Sequence, residues 1–172
     1  SWLTRIEAQR LVLEMTQRSP FLGLGPGNYH FYTVLYPILS YRARFNSHNN
    51  YTDFVAQGGL IGLVAFSWVA IELLILSVAL FRRTPNGFAR AYAIGCFAGL
   101  MGSLAGGWLA DWIVPFVYNI GVAGFRSSLL FWVFSGGLIA LRRMLLLNQV
   151  PSASAAVRER PEWRWRRASS GS

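Results

Sequence analysis

The feature that most constrains this chain is a run of 23 residues, Gly59 to Phe81, interrupted by a single ionisable side chain, Glu72. As a helix it would extend ~34 Å, enough to cross a hydrocarbon core of ~30 Å with some tilt. Two more apolar runs follow, from Phe88 or Ala91 to Ala110 and from Gly121 to Leu141. The second carries Gly95 and Gly99, then Gly102 and Gly106, small-xxx-small steps that let helix backbones approach closely. Charged residues are 13% of the chain, against roughly 25% in soluble domains. The expected fold class is all-α, an integral membrane helical bundle. Three transmembrane helices over 59–147 are preceded by an external, partly helical segment over 1–58 and followed by a basic tail over 148–172.

All 16 basic residues are arginine, and their placement sets the orientation. Arg82, Arg83 and Arg90 share one side with Arg142, Arg143 and the tail arginines 158, 160, 164, 166 and 167. The positive-inside rule makes that side cytoplasmic and turns residues 1–58 and 111–120 outward, with Trp108, Trp112 and Tyr118 in an interfacial aromatic belt. The tail reads either as a lipid-surface or nucleic-acid contact or as a disordered, solvated topology anchor. The one cysteine, Cys96, lies in an apolar run, which excludes an internal disulfide and a cysteine-based metal cluster. A start at Ser1 without a signal peptide suggests the C-terminal piece of a longer multi-span protein.

Residues 1–58 are too polar to span a membrane and too patterned for a linker. Thr4 and Glu7 have capping-box spacing, so a helix is expected from there to Arg18, ending at Ser19-Pro20. Its apolar positions (Trp2, Leu3, Ile6, Leu11, Leu13, Met15) form no single stripe, which suits a helix on the membrane surface or against other parts of the protein. The glycine-rich stretch from Pro20 to Asn28 lacks dinucleotide or Walker spacing and reads as a tight turn that redirects the chain. His48-Asn49 comes nine residues before Gly59-Leu60-Ile61-Gly62. A lone histidine is usually structural, and His30 has only Asn28 as a polar neighbour in sequence.

Taken in order, Arg5, Pro20-Phe21-Leu22-Gly23-Leu24-Gly25-Pro26-Gly27-Asn28, His48-Asn49 and Gly59-Leu60-Ile61-Gly62, then the closing spans with Phe131-Trp132-Val133-Phe134, resemble the O-antigen ligase/polymerase family. The resemblance covers about residues 1–145, the C-terminal portion of proteins that usually have ten or more spans. It implies a metal-independent, inverting membrane glycosyltransferase without a cofactor. The donor would be a glycan on undecaprenyl diphosphate. The acceptor would be lipid A-core, another glycan or a protein hydroxyl, at the outer face of the bacterial inner membrane. Nucleic acid is not an expected partner.

The chemistry suits these residue types. The acceptor hydroxyl must lose a proton, which a histidine near its ordinary pKa can take, and the departing diphosphate needs its charge matched, which guanidinium does bidentately. His48 is the candidate general base or acceptor-orienting group, and Arg5, matching the family arginine, the candidate diphosphate clamp. Arg42, Arg44 and Arg126 are further phosphate candidates. Arg42 and Arg44 are also expected to hold His48 neutral. Asn49, grouped with the substrate-binding set, is expected to cap or orient the His48 region. Arg126 either serves phosphate, snorkels outward or pairs with Asp111. Two histidines and scattered carboxylates offer no ligand cluster in sequence. Gln57 stands where relatives often carry an acid, which puts a carboxylate-assisted mechanism in doubt. Glu72, costly at mid-membrane, reads first as structural, hydrogen-bonded or paired to an upstream helix; as a functional group, with the glycine-rich second span, it keeps open a different class, a polytopic transporter or a non-enzymatic membrane subunit.

Overall fold

The computed structural model describes residues 2–114 and 125–146. Its helices are α1 (Trp2–Thr16), a short α2 (Tyr29–Tyr32) running into a 3-10 turn (Thr33–Leu35), α3 (Asn50–Arg83), α4 (Phe88–Gly106) and α5 (Phe125–Leu146). No strand occurs among the described residues, where the only pairing is an isolated bridge between Ile38 and Tyr41. Three helices, α3, α4 and the Ser128–Leu146 part of α5, are long and apolar enough to cross a membrane.

Several boundaries differ from the sequence expectations, each for a local reason. Helix α1 already runs from Trp2, so Thr4 and Glu7 lie within it and do not form its starting box. Its α-helix ends at Thr16, and Gln17, Arg18 and Ser19 tighten into i→i−3 bonds before Pro20. It also has a clean stripe: Ala8, Leu11, Val12 and Met15 are buried, while Trp2, Leu3, Ile6 and Leu13 are exposed. The exposed apolar residues hid a spacing of i, i+3, i+4, i+7. Helix α3 begins nine residues before the apolar run, because Asn49 caps it. Its side-chain Oδ1 accepts from the backbone N–H of Tyr51 (2.9 Å) and Thr52 (3.3 Å). Helix α4 ends at Gly106 rather than Ala110, and α5 continues past Arg142-Arg143 to Leu146. The expected start of that span, Gly121–Gly124, lies outside the described residues, as do Tyr118 and the arginine tail.

Helix α4 packs against both α3 and α5. Its stripe Ala89, Ala93, Cys96 and Leu100 meets Phe66, Ala70, Leu73 and Leu80 of α3 and Phe131, Leu138 and Leu141 of α5 in one core. The small-xxx-small reading holds at alternate glycines. A Cβ on Gly99 would run into the Phe134 ring, whereas Gly95 and Gly102 have open space around them. A second core joins α1 to the N-terminal part of α3 through Val12, Met15, Tyr29, Ile38 and Ala56. Glu72 is exposed on α3, where Trp68 Nε1 donates to its Oε1 at 3.2 Å. Arg82 and Arg83 close the end of α3 opposite His48.

Candidate functional site

The site is assembled around an interruption of α3. Gly59 has φ 64° and ψ −164°, inside an otherwise helical segment. An unbroken helix would bond Leu60 N–H to Ala56 O and Ile61 N–H to Gln57 O. Here all four groups turn to the glycine-rich loop. Leu24 N–H donates to Ala56 O (2.7 Å) and Gly25 N–H to Gln57 O (3.1 Å), while Leu60 N–H donates to Pro20 O (2.9 Å) and Ile61 N–H to Phe21 O (3.3 Å). Gly27 N–H adds a bond to Gln57 Oε1 at 2.8 Å. Two helical bonds are thus exchanged for four loop–helix bonds, so none of these four groups is left unmet by the break.

This contact needs glycine on both sides. A Cβ on Gly23 would sit 2.6 Å from Gly59 N, and one on Gly59 would overlap the Phe21 carbonyl. The loop therefore does more than redirect the chain: it completes a broken helix and ties α1 to the head of α3.

Just above the break lies a buried polar network that the sequence reading missed. Tyr29 Oη donates to Asp53 Oδ1 at 2.6 Å. Ser47 Oγ lies 2.7 Å from the same oxygen and 2.9 Å from Asn49 O, and it accepts from Asn49 N–H at 3.1 Å. Ser47 N–H in turn donates to Tyr29 Oη at 3.4 Å. Tyr29, Ser47, Asn49 and Asp53 are all buried. Burial, and next the Asp53 carboxylate, push the Tyr29 pKa up, so its hydroxyl stays a donor. The available signal was an aspartate five residues beyond His48, ahead of a long apolar run. Tyr29 carried no sequence signal.

The connection after α4 closes over the same region. Asn50 Oδ1 accepts from Ile113 N–H (2.7 Å) and its Nδ2 donates to Val114 O (3.0 Å), while Tyr51 Oη donates to Leu104 O (2.7 Å). Asn46 Nδ2 donates to Asp111 Oδ2 at 3.3 Å, and burial raises the Asp111 pKa to about 6. A cavity of about 220 Å³ beside the break is lined by Asn50, Asp53, Phe54 and Gln57 with Pro26 and Val114.

His48 sits between two buried, hydrogen-bonded neighbours, yet is itself only half-buried. Its φ of 52° is the left-handed conformation, uncommon outside glycine. Burial and then the Arg5 guanidinium lower its pKa below 6.5, which keeps the ring neutral near pH 7. This corrects the sequence expectation in one respect: the charge acting on the ring comes from α1, not from Arg42 or Arg44. Those two are exposed on the extended segment, with the Arg44 guanidinium 5.5 Å from the Phe31 ring centroid. Arg5 itself donates from Nη1 to Leu109 O at 3.1 Å, so one side chain links α1, the His48 turn and the connection after α4. Asn49 serves as the cap of α3. Arg126 is exposed at the start of α5. His30 is buried, with Nδ1 3.4 Å from Phe45 O.

Fold and site together define a helical membrane protein that presents a neutral imidazole beside a guanidinium at one end of its longest helix. Residues 1–67 match the model of the O-antigen ligase family, which bears out the resemblance over the motifs from Arg5 to Gly62; the match does not reach the closing spans with Phe131-Trp132-Val133-Phe134. The matched segment runs from α1 through the glycine loop and the His48 turn to just beyond the break in α3. The match points to a membrane function of the O-antigen ligase type, that of a glycosyltransferase-like enzyme. No curated protein and no solved structure matches the chain.

Proposed function

We propose that this protein transfers or polymerises glycan from an undecaprenyl-diphosphate donor onto an acceptor hydroxyl, at the outer face of a bacterial inner membrane. His48 takes the acceptor proton as the hydroxyl oxygen bonds to the anomeric carbon. The bond from that carbon to the diphosphate breaks with its electron pair staying on the departing phosphate oxygen. Arg5 matches the charge that develops there, with Arg42, Arg44 and Arg126 as further phosphate contacts. Attack and departure on opposite faces of the sugar invert the anomeric centre, and no metal takes part in these steps.

The observation that carries this reading is the pairing of His48 with Arg5. A base must be unprotonated to accept a proton; burial, and then the Arg5 guanidinium, lower the His48 pKa and keep the ring so, and the same guanidinium stays charged toward an anion. The outward orientation is supported by Arg82 and Arg83 at the far end of α3 and Arg90 in the first turn of α4. The test is His48→Ala in the intact protein in membranes, assayed with an undecaprenyl-diphosphate-linked glycan and lipid A-core. Product should vanish while membrane insertion is unchanged, and product at the unsubstituted level would end the assignment.

A further inference from the structure

We propose that Tyr29, Ser47 and Asp53 form a positioning clamp that fixes the left-handed turn at His48 and thereby the place of its ring beside Arg5. The proposal rests on the catalytic reading of His48 but concerns residues to which that reading gives no part.

The left-handed backbone at His48, φ 52°, is unfavourable for a residue with a Cβ, so something must hold it. The neighbours on each side do so. Ser47 is fixed at both ends, its N–H on Tyr29 Oη and its Oγ on Asp53 Oδ1. Asn49 is fixed by its own N–H on Ser47 Oγ and by its side chain capping α3. Asp53 lies on the first turn of α3 and Tyr29 on α2, so the clamp gathers the turn from two elements distant in sequence. His48 is the one member of the Ser47-His48-Asn49 tripeptide that is not fully buried. A turn locked on both sides leaves its central side chain facing out. That arrangement holds a reacting group still while leaving it half-exposed.

The clamp does not act on His48 through charge. Arg5, from α1, is the charged group acting on the ring, while Asp53 of α3 is engaged by Tyr29 and Ser47, and Asp111 of the connection after α4 receives Asn46. Loosening the turn would therefore let the ring move into water and away from Arg5, and its pKa would rise toward 6.5.

That movement separates positioning from mere structural support. In the intact protein in membranes, kcat and kcat/KM are followed against pH for the Tyr29→Phe and Asp53→Asn variants, with the same donor and acceptor and with folded protein quantified. The unsubstituted enzyme loses activity as pH falls through the depressed His48 pKa, so its acid limb lies below 6.5. Each variant should lower kcat about tenfold with KM for the donor little changed, and should move the acid limb upward. Loss of amplitude in proportion to folded protein, with the limb unmoved, would overturn the clamp. So would unchanged kcat in both variants while His48→Ala is inactive, and that result would leave the proposed function standing. An active His48→Ala variant would sink the proposed function, and the clamp with it.

Discussion

Glycines 58 and 59 are adjacent, yet an alanine should have opposite effects at the two. At Gly59, φ 64° with ψ −164° is a conformation essentially restricted to glycine, and a side chain held there costs on the order of 1–3 kcal/mol. The new Cβ would also overlap the Phe21 carbonyl, so the loop must withdraw. If α3 then straightens, it regains two helical bonds but loses the four that joined it to the loop, a net loss of two at about 0.5–1.5 kcal/mol each. Together these give roughly 4 kcal/mol, which for a chain of this size lowers the melting temperature by roughly 8–16 °C. At Gly58 the backbone is helical and nothing lies within 4 Å of an added Cβ, so Gly58→Ala should be neutral or stabilising by up to about 1 kcal/mol. The assay is thermal unfolding of the purified protein in detergent, together with limited proteolysis of the 20–27 loop. Gly59→Ala should melt early and be cut in that loop, whereas Gly58→Ala should do neither. If Gly59→Ala melts within roughly 2 °C of the unsubstituted protein and its loop stays protected, the account of the helix break is wrong.

Two further expectations follow from side chains around the site. Asn49→Ala should cost about 1 kcal/mol by removing the cap of α3, whereas Asn49→Asp, also a good cap, should cost much less; equal melting temperatures for the two would contradict the capping role. Asp111 has its pKa raised by burial from 3.8 to about 6, so the folded state holds more protons than the unfolded state between those values. Its contribution therefore grows less favourable as pH rises from about 4 to about 6 and stays so above that. Asp111→Asn should melt higher than the unsubstituted protein at pH 8 and lose that advantage toward pH 4. An advantage independent of pH would show that the carboxyl is not the titrating group.

The legibility of the chain follows the range of the interactions involved. Hydropathy revealed the spans because burial in lipid depends on composition over about 20 residues. It placed the start of α3 nine residues late because the first turns carry Asn50, Asp53 and Gln57, whose side chains bond to other parts of the protein. The stripe on α1 was obscured by exposed apolar residues, which periodicity alone does not distinguish from core. The glycine loop was seen but its task was not. Every one of its key bonds goes to Ala56, Gln57, Leu60 or Ile61, 30 or more positions away. His48 and Arg5 were singled out through family motifs, while Tyr29, Ser47 and Asp53 belong to no motif and emerge only as a set of contacts.

From its residues alone, then, this chain was bound to make apolar helices of membrane-crossing length and to turn sharply at three closely spaced glycines. Both depend on neighbours within a few turns. Folding decided which arginine faces His48, since Arg5 is 43 positions away and Arg42 only six, and it decided that a helix broken at Gly59 would be completed by a loop. The physical reason is that a charge or an unmet backbone group is settled by whatever lies within a few ångströms, and only the packing of α1 and its loop against α3 determines what that is.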